Sequence, residues 1–229
     1  MRMLMIAATV TLLSAGPLFA QERGGQRASG YVTGLGGFAT SLGNTTGDIA
    51  AEGGVRIAPH VMAFGNIGRF VDLQADLQPT HDSATAALSA NQGLAVIAGG
   101  KLPASYGLGG LRVEVPTRSR VLPYVLGGIG LARLSPSTQF VFSSGTMPDG
   151  STPDVGADVT TAIVSAGVFT APPATNAFMF KAGAGVQIPV ARGWVAEAGY
   201  RYSRIAADTT LSASPLNTNG MTFGVGYRF

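Results

Sequence analysis

The chain has 229 residues, of which 46% are hydrophobic and only 12% are charged, and it contains 33 glycines and no cysteine. The formal net charge of +3 is too small to favour a nucleic acid or an anionic surface as partner. A chain without cysteine has neither disulfides nor a thiolate metal site, and a soluble domain would carry about twice this share of charged residues.

The N-terminus has the residue order of a secretory signal peptide. Arg2 precedes an apolar run from Met3 to Leu13, and small residues then lead to Ala20, after which we expect cleavage. A transmembrane anchor is the alternative, but the run is shorter than the roughly 20 apolar residues that span a bilayer. The sequence therefore predicts a signal peptide at 1–20 and one mature domain at 21–229.

In eight later stretches apolar and polar or small residues alternate, a pattern typical of β-strands. Gly, Pro, Asn, Asp or Ser separate one stretch from the next. They lie near 29–40, 49–58, 60–71, 104–115, 121–134, 177–189, 193–205 and 220–229. The connections alternate in length, with the longer ones near 41–48, 72–103, 135–176 and 206–219. This order predicts an all-β fold, an eight-stranded antiparallel up-and-down transmembrane β-barrel with short periplasmic turns and long extracellular loops. A soluble sandwich or a secreted lipocalin-like barrel is the alternative, although its surface would carry more charge.

Charged residues mark the inner face of five predicted strands, the second, fourth, sixth, seventh and eighth. In each, the charged residues share one parity and the large apolar residues share the other. A charge that faces lipid costs a few kcal/mol at the midplane, so the charged set should face the lumen. The predicted lumen charge network comprises Glu52, Arg56, Arg112, Glu114, Lys181, Glu197, Arg201 and Arg228. The other three strands carry glycine in both phases, so their inner faces stay open.

Two interpretations of this network remain. Eight strands enclose an interior that side chains can just fill, so the charges could hold the barrel shut or line a narrow, charge-selective pore. Glu197 and Arg201 lie four residues apart on one strand, with Cα atoms about 13 Å apart. We therefore expect each to pair across strands and not with the other.

Aromatic residues recur near the predicted periplasmic strand ends. An aromatic ring with one wet edge suits a membrane interface. The residues predicted to form a periplasmic aromatic girdle are Tyr31, Tyr124 and Trp194, at the same level as Tyr227 and Phe229.

Few residues suggest catalysis or metal binding. His81, Asp82 and Ser83 lie in a predicted external loop, but sequence neighbours rarely converge into a catalytic triad. A helix over "SATAALSANQ", capped near Asp82 and closed by Gly93, is the favoured interpretation. The loop carboxylates Asp149, Asp154 and Asp158 lack the glycine and terminal glutamate of a calcium loop. We expect no catalytic residue, no metal and no cofactor.

The last strand carries the clearest family signal. "GMTFGVGYRF" alternates strictly and ends in Tyr227-Arg228-Phe229, which resembles the terminal signal of bacterial outer-membrane proteins. "GYRYSR", "PYVLGGIGLARL" and "SYGLGGLRVEVP" are similar to the strands of small outer-membrane barrels of the OmpA, OmpX and opacity-protein type. The resemblance spans residues 28–229 and implies export to the outer membrane of a Gram-negative cell.

The same resemblance implies the partners and the class of function. We expect outer-membrane lipid and the barrel assembly machinery, which would read Tyr227 and Phe229, as partners of a monomer that binds no nucleic acid. An extracellular ligand could bind through the loops. The favoured function is a non-enzymatic structural, adhesive or protective surface role. The alternatives are a narrow porin-like channel for small solutes and a lipid A-modifying enzyme that uses the loop around His81.

Overall fold

The structure is a computed structural model that describes residues 29–41, 43–73, 85–86, 88–90, 93–167, 169–170, 172–207 and 215–229. The predicted signal peptide lies outside these residues. The strands are β1 (Gly30–Ser41), β2 (Asn44–Ala58), β3 (Val61–Phe70), β4 (Ala95–Lys101), β5 (Ala104–Glu114), β6 (Leu122–Leu134), β7 (Ser137–Ser144), β8 (Thr175–Pro189), β9 (Trp194–Ala206) and β10 (Leu216–Arg228), and helix α1 is Thr160–Ser165. No helix in the described ranges is both long and apolar enough to cross a membrane.

Eight of the strands close into an antiparallel barrel in the order β1-β10-β9-β8-β6-β5-β3-β2. The predicted eight-stranded barrel is therefore confirmed. The seam lies between β1 and β10, where Tyr31 is opposite Arg228. Beyond that pair, Gly30 and Phe229 exchange backbone hydrogen bonds of 2.9 and 3.0 Å. The pairing of β1 with the C-terminal strand therefore continues as far as Phe229.

The connection between β2 and β3 is a two-residue turn, as the sequence predicts. Pro59 fixes the first central position, and His60 has a positive φ of 66°, the combination of a type II turn. The carbonyl of His60 accepts a 2.8 Å hydrogen bond from the amide of Glu114. This bond ties the turn to the end of β5.

The first external connection differs from the prediction. Residues 41–48 were expected to form a longer loop, but β1 ends at Ser41 and β2 begins at Asn44, with Gly43 at a φ of 85°. The polar residues of this segment suggested a loop because they lie at the external strand ends, where water and lipid headgroups replace hydrocarbon. Polarity at this level does not interrupt the hydrogen-bonded ladder.

The two faces of the barrel are sorted by chemistry. On β10, the even-numbered residues face inward and the odd-numbered residues face outward, among them Phe223, which is 51% exposed. On β6, Ile129 and Leu131 face outward in the same way. An exposed apolar surface of this kind is what the predicted transmembrane barrel would present to hydrocarbon.

Glycine allows close approach of neighbouring strands at some lumen-facing positions. A Cβ atom at Gly110 of β5 or Gly130 of β6 would overlap the backbone of the partner strand. These two residues let the backbones of β5 and β6 approach closely.

A small second sheet extends the β5–β6 hairpin beyond the barrel. β4 pairs with β7, from Lys101 opposite Ser137 to Ala95 opposite Ser144. The ladder passes from sheet to sheet at Leu102-Pro103 and Ser135-Pro136, where the amide of Ser135 donates a 3.0 Å hydrogen bond to the carbonyl of Pro103. We call the described residues of 85–101 and 137–170, which include β4, β7 and α1, the external module.

The external module has its own hydrophobic core. The core residues are Leu88, Leu94, Phe140, Phe142, Met147, Val159, Ile163 and Phe169. Helical residues occur at 85–86 and 88–90. Gly93, which has a φ of 64°, donates its backbone amide to the carbonyl of Ser89. The segments predicted as long loops at 72–103 and 135–176 therefore contain two strands and a packed core, in addition to irregular chain.

Candidate functional site

Arg112 lies at the centre of the charge network and joins two carboxylates from opposite sides of the lumen. Its Nη1 is 3.3 Å from Oε1 of Glu52 on β2 and 3.3 Å from Oε2 of Glu197 on β9. All three side chains are almost completely buried. Burial of ions is costly, and hydrogen bonds to the remaining oxygens have to offset that cost.

Those hydrogen bonds are present for both carboxylates. Glu52 accepts from the hydroxyl of Tyr31 at 2.7 Å and from the amide of Asn66 at 3.4 Å. Glu197 accepts from the hydroxyl of Tyr124 at 2.5 Å and from Nε2 of Gln187 at 2.6 Å. The two carboxylates therefore belong to one connected network of buried polar side chains.

The positions of Tyr31 and Tyr124 correct the predicted girdle. Each is 1% exposed and faces the lumen. The Cζ atom of Arg112 lies 3.5 Å from the ring centroid of Tyr124 and 4.7 Å from that of Tyr31, where the cation is attracted to the ring faces. A tyrosine suits a membrane interface and an ion-pair network equally well, because both supply an apolar wall and a hydrogen-bond partner.

Glu197 and Arg201 also differ from expectation, because they pair with each other. Nη2 of Arg201 is 3.0 Å from Oε1 of Glu197, and the same nitrogen donates to the hydroxyl of Tyr124 at 2.9 Å. Their Cα atoms are far apart, but the arginine side chain extends along the inner face and covers the distance. The prediction that they could not easily pair with each other is wrong, because it used the backbone spacing and left out the length of the arginine side chain. The predicted pairing across strands is present for Glu197, which contacts Arg112 on β5.

A second group of charges lies at the periplasmic end of the lumen. The carboxylate of Glu114 forms ion pairs with Nη2 of Arg228 at 2.8 Å and with Nη2 of Arg56 at 3.3 Å. Nη1 of Arg228 donates to Oε1 of Gln187 at 2.9 Å, and Gln187 in turn bonds Glu197. Gln187 therefore connects the periplasmic group to the central one.

A third group lies between the central charges and the external end. Nζ of Lys181 is 3.6 Å from Oδ2 of Asp48 and 2.7 Å from the hydroxyl of Tyr106. The same hydroxyl is 2.8 Å from Oδ1 of Asp48. Phe70 packs beside this group, with its ring centroid 5.2 Å from that of Tyr106.

Seven apolar side chains fill the external end of the lumen, and we call them the apolar layer. Each is at most 1% exposed: Phe70, Leu73, Leu102, Leu134, Met179, Ile205 and Leu216. β3 ends at Phe70, β6 ends at Leu134 and β10 begins at Leu216, so the layer lies where the long connections leave the barrel. The backbone amide of Leu73 donates to the carbonyl of Leu102, which joins the two connections over the layer. Solutes from outside would meet this layer before the ion pairs of the lumen.

The remaining predicted site residues lie on the outer face of the barrel. Trp194 and Phe229 are 51% and 59% exposed at the periplasmic end. Tyr227 is 44% exposed, and its ring contacts that of Trp194 edge to face, with centroids 5.7 Å apart. No contact in the structure reports on recognition of Tyr227 and Phe229 by assembly machinery, which stays a prediction.

Sequence reasoning missed several network members for which a signal existed. Asp48 has the same parity as Glu52 and Arg56 but fell in a segment interpreted as loop. Tyr106 has the same parity as Arg112 on β5. The apolar layer had no such signal, because apolar residues occur on both faces of a membrane barrel.

The loop candidates do not form a site in the described residues. His81, Asp82 and Ser83 lie outside those residues. The carboxylate of Asp149 accepts hydrogen bonds from the backbone amide and the hydroxyl of Ser151. The carboxylate of Asp158 accepts from the backbone amide of Thr160 and from the side-chain amide of Gln139. These bonds lower the pKa of both carboxyl groups.

Solved structures with the same architecture are distant in sequence. Neisserial surface protein A is 15% identical, with a TM-score of 0.52, and the match covers 88% of this chain and 98% of that chain. Ail, the attachment invasion locus protein of Yersinia pestis, is 12% identical with a TM-score of 0.44, covering 88% and 97%. The outer membrane enzyme PagL is 11% identical with a TM-score of 0.43, covering 85% and 97%. The first similarity supports the barrel fold alone, since one fold hosts many functions.

A comparison with curated protein sequences finds no match. A family model for the outer membrane protein beta-barrel domain matches residues 5–229. The match includes all eight barrel strands and the external module. The chain therefore belongs to the outer membrane protein beta-barrel domain family, and it resides in the bacterial outer membrane.

Proposed function

We propose that the protein is a closed outer-membrane barrel that presents the external module at the cell surface in a structural, adhesive or protective role. One observation carries this proposal: the apolar layer lies across the external end of the lumen. A conducting pore needs a continuous hydrated path, and seven fully buried apolar side chains oppose one.

The energy of opening argues in the same direction. Exposure of a buried leucine, isoleucine, methionine or phenylalanine to water costs about 1.5–3 kcal/mol. Movement of three such residues would cost about 5–9 kcal/mol, and the ion pairs beneath them would have to separate as well. The narrow porin-like channel is therefore the weaker candidate.

The external module supports a role at the surface. Connections that only link strands need no hydrophobic core, whereas these two long connections pack eight apolar residues together. Loops that a rigid scaffold positions in this way commonly carry the binding function of a protein. The ion-pair network would then serve as that scaffold, because it fixes the barrel from which the module projects.

The proposal is tested by removal of the module. Residues 74–101 and 137–174 are each replaced by a short Gly-Ser turn, which keeps Leu73 and Leu102 of the apolar layer. We expect normal assembly of the barrel, measured by the shift on heating in gel electrophoresis, and loss of adherence or serum survival of cells that depend on the protein. The proposal would be contradicted if cells with the shortened barrel kept their adherence and serum survival. A change in the uptake of small solutes by these cells would contradict it as well.

A further inference from the structure

The outer face of the barrel carries charges of one sign only. The eight barrel strands contain twelve charged residues, of which nine face the lumen. The other three face outward and are exposed, and all are arginines: Arg69, Arg133 and Arg204. We call these three residues the arginine rim.

The arginine rim lies at the external boundary of the membrane. Arg69 is one residue before the end of β3, Arg133 is one before the end of β6, and Arg204 is two before the end of β9. All three strands run toward the end that carries the long connections. In an outer-membrane barrel, this level faces the headgroups of the outer leaflet.

Strand register places two of the arginines side by side. Arg69 is opposite Ser105 of β5, and Ser105 is opposite Arg133 of β6. Neighbouring strands are about 4.8 Å apart, so the Cα atoms of Arg69 and Arg133 are about 10 Å apart with a hydroxyl side chain between them. Two guanidinium groups and one hydroxyl therefore share a small area of the outer face.

Among the described residues, no carboxylate forms an ion pair with any of the three arginines. No outward-facing position of the barrel strands carries a carboxylate, and no hydrogen bond or ion pair joins these guanidinium groups to the described part of the chain. A guanidinium group is a fork of donors that matches the oxygens of a phosphate, often with two hydrogen bonds. The groups that meet this level from the membrane side are lipid phosphates.

We propose that Arg69, Ser105 and Arg133 form a binding site for the phosphate groups of outer-leaflet lipids, with Arg204 as a separate contact further around the barrel. The site is independent of the function of the external module. It would fix the depth of the barrel and the lipids that surround it. Simple solvation of the arginines by water is the alternative that the experiment has to exclude.

The test uses the full mature chain, refolded in detergent micelles, with diphosphorylated lipid A as the probe and its dephosphorylated form as the control ligand. Binding is measured by native mass spectrometry. A basic residue beside an anionic surface contributes about a fivefold gain in affinity. We therefore expect Arg69→Gln with Arg133→Gln to weaken lipid A binding about thirtyfold. The matched control, Arg118→Gln with Arg120→Gln in the exposed turn at the opposite end, should leave binding unchanged.

Several outcomes would overturn the proposal. They are equal binding of the two forms of lipid A, equal binding by the double variant and the natural protein, or an equal loss in the control variant. Displacement of lipid A by an equal concentration of inorganic phosphate would show a general anion site and not a lipid site. If the double variant fails to fold, Arg133→Gln alone is used, with an expected loss of about fivefold.

Discussion

Glu197 and Arg201 form an ion pair along β9, with 3.0 Å between Oε1 and Nη2, although they are four positions apart on the strand. Glu197 also contacts Arg112, Tyr124 and Gln187. One carboxylate therefore links β9 to three other strands across the lumen, and its removal would leave two guanidinium groups without their shared partner.

The substitution Glu197→Ala should lower the free energy of unfolding by about 2–5 kcal/mol, because it leaves uncompensated buried charge. Equilibrium unfolding in urea of barrels refolded into lipid vesicles measures this change. Asp154→Asn in the exposed part of the external module is the control and should have no effect. A loss from Glu197→Ala of less than about 0.5 kcal/mol, the effect of a surface change, would show that water solvates the network.

Tyr124→Phe should destabilise the barrel by about 1.5–3 kcal/mol, because the hydroxyl donates to a charged, buried carboxylate. Tyr200→Phe on β9 removes a hydroxyl that bonds Asn219 on the exposed outer face. That control should change stability by less than about 0.5 kcal/mol. Equal effects of the two substitutions in the same unfolding assay would argue against a special role of the lumen hydroxyl.

The external module and the barrel should respond independently to a change in the module core. Ile163 of α1 is completely buried, so Ile163→Ala should cost the module about 2–5 kcal/mol. We expect faster cleavage of the module by added protease and an unchanged heat shift of the barrel. Val164→Ala, at a residue that is 41% exposed, is the matched control. Loss of the heat-modifiable barrel in Ile163→Ala would contradict the independence of the two cores.

The terminal aromatic residues should matter for assembly in the cell and little for the folded state. Tyr227 and Phe229 face outward, and Phe229 contributes its backbone to the barrel seam. The double substitution to alanine keeps that backbone, so the purified chain should refold in detergent. In cells, we expect unassembled chains in the periplasm. Met221→Ala and Phe223→Ala on the same strand are the control variants. If cells that express the double variant contain as much assembled barrel as cells that express these controls, the two terminal residues have no special role in assembly.

The sequence predicts the barrel well because the membrane separates the two faces sharply. Charged residues at alternate positions, with large apolar residues between them, locate the strands. Short turns at one end indicate that consecutive strands are antiparallel neighbours. The external module was missed for a local reason. Pro103 and Pro136 interrupt the strand pattern, so β4 and β7 appeared as parts of long loops.

The interior of the lumen is harder to predict. An apolar residue in a strand fits the lipid face and a filled lumen equally, so nothing in the pattern of β3 or β6 distinguishes Phe70 and Leu134 from lipid-facing residues. Tyr31 was assigned to the membrane interface for the same reason. Register decides such cases, because only the pairing of strands shows that Tyr31 and Glu52 meet inside the barrel.

The central claim is that the lumen is closed. Single-channel recording in a planar bilayer, with the natural protein and with Glu197→Ala, tests it most directly. We predict no conductance steps for the natural protein and a destabilised barrel for the variant. Regular steps from the natural protein, together with a stable Glu197→Ala barrel whose ion selectivity is altered, would contradict it and identify the protein as a channel.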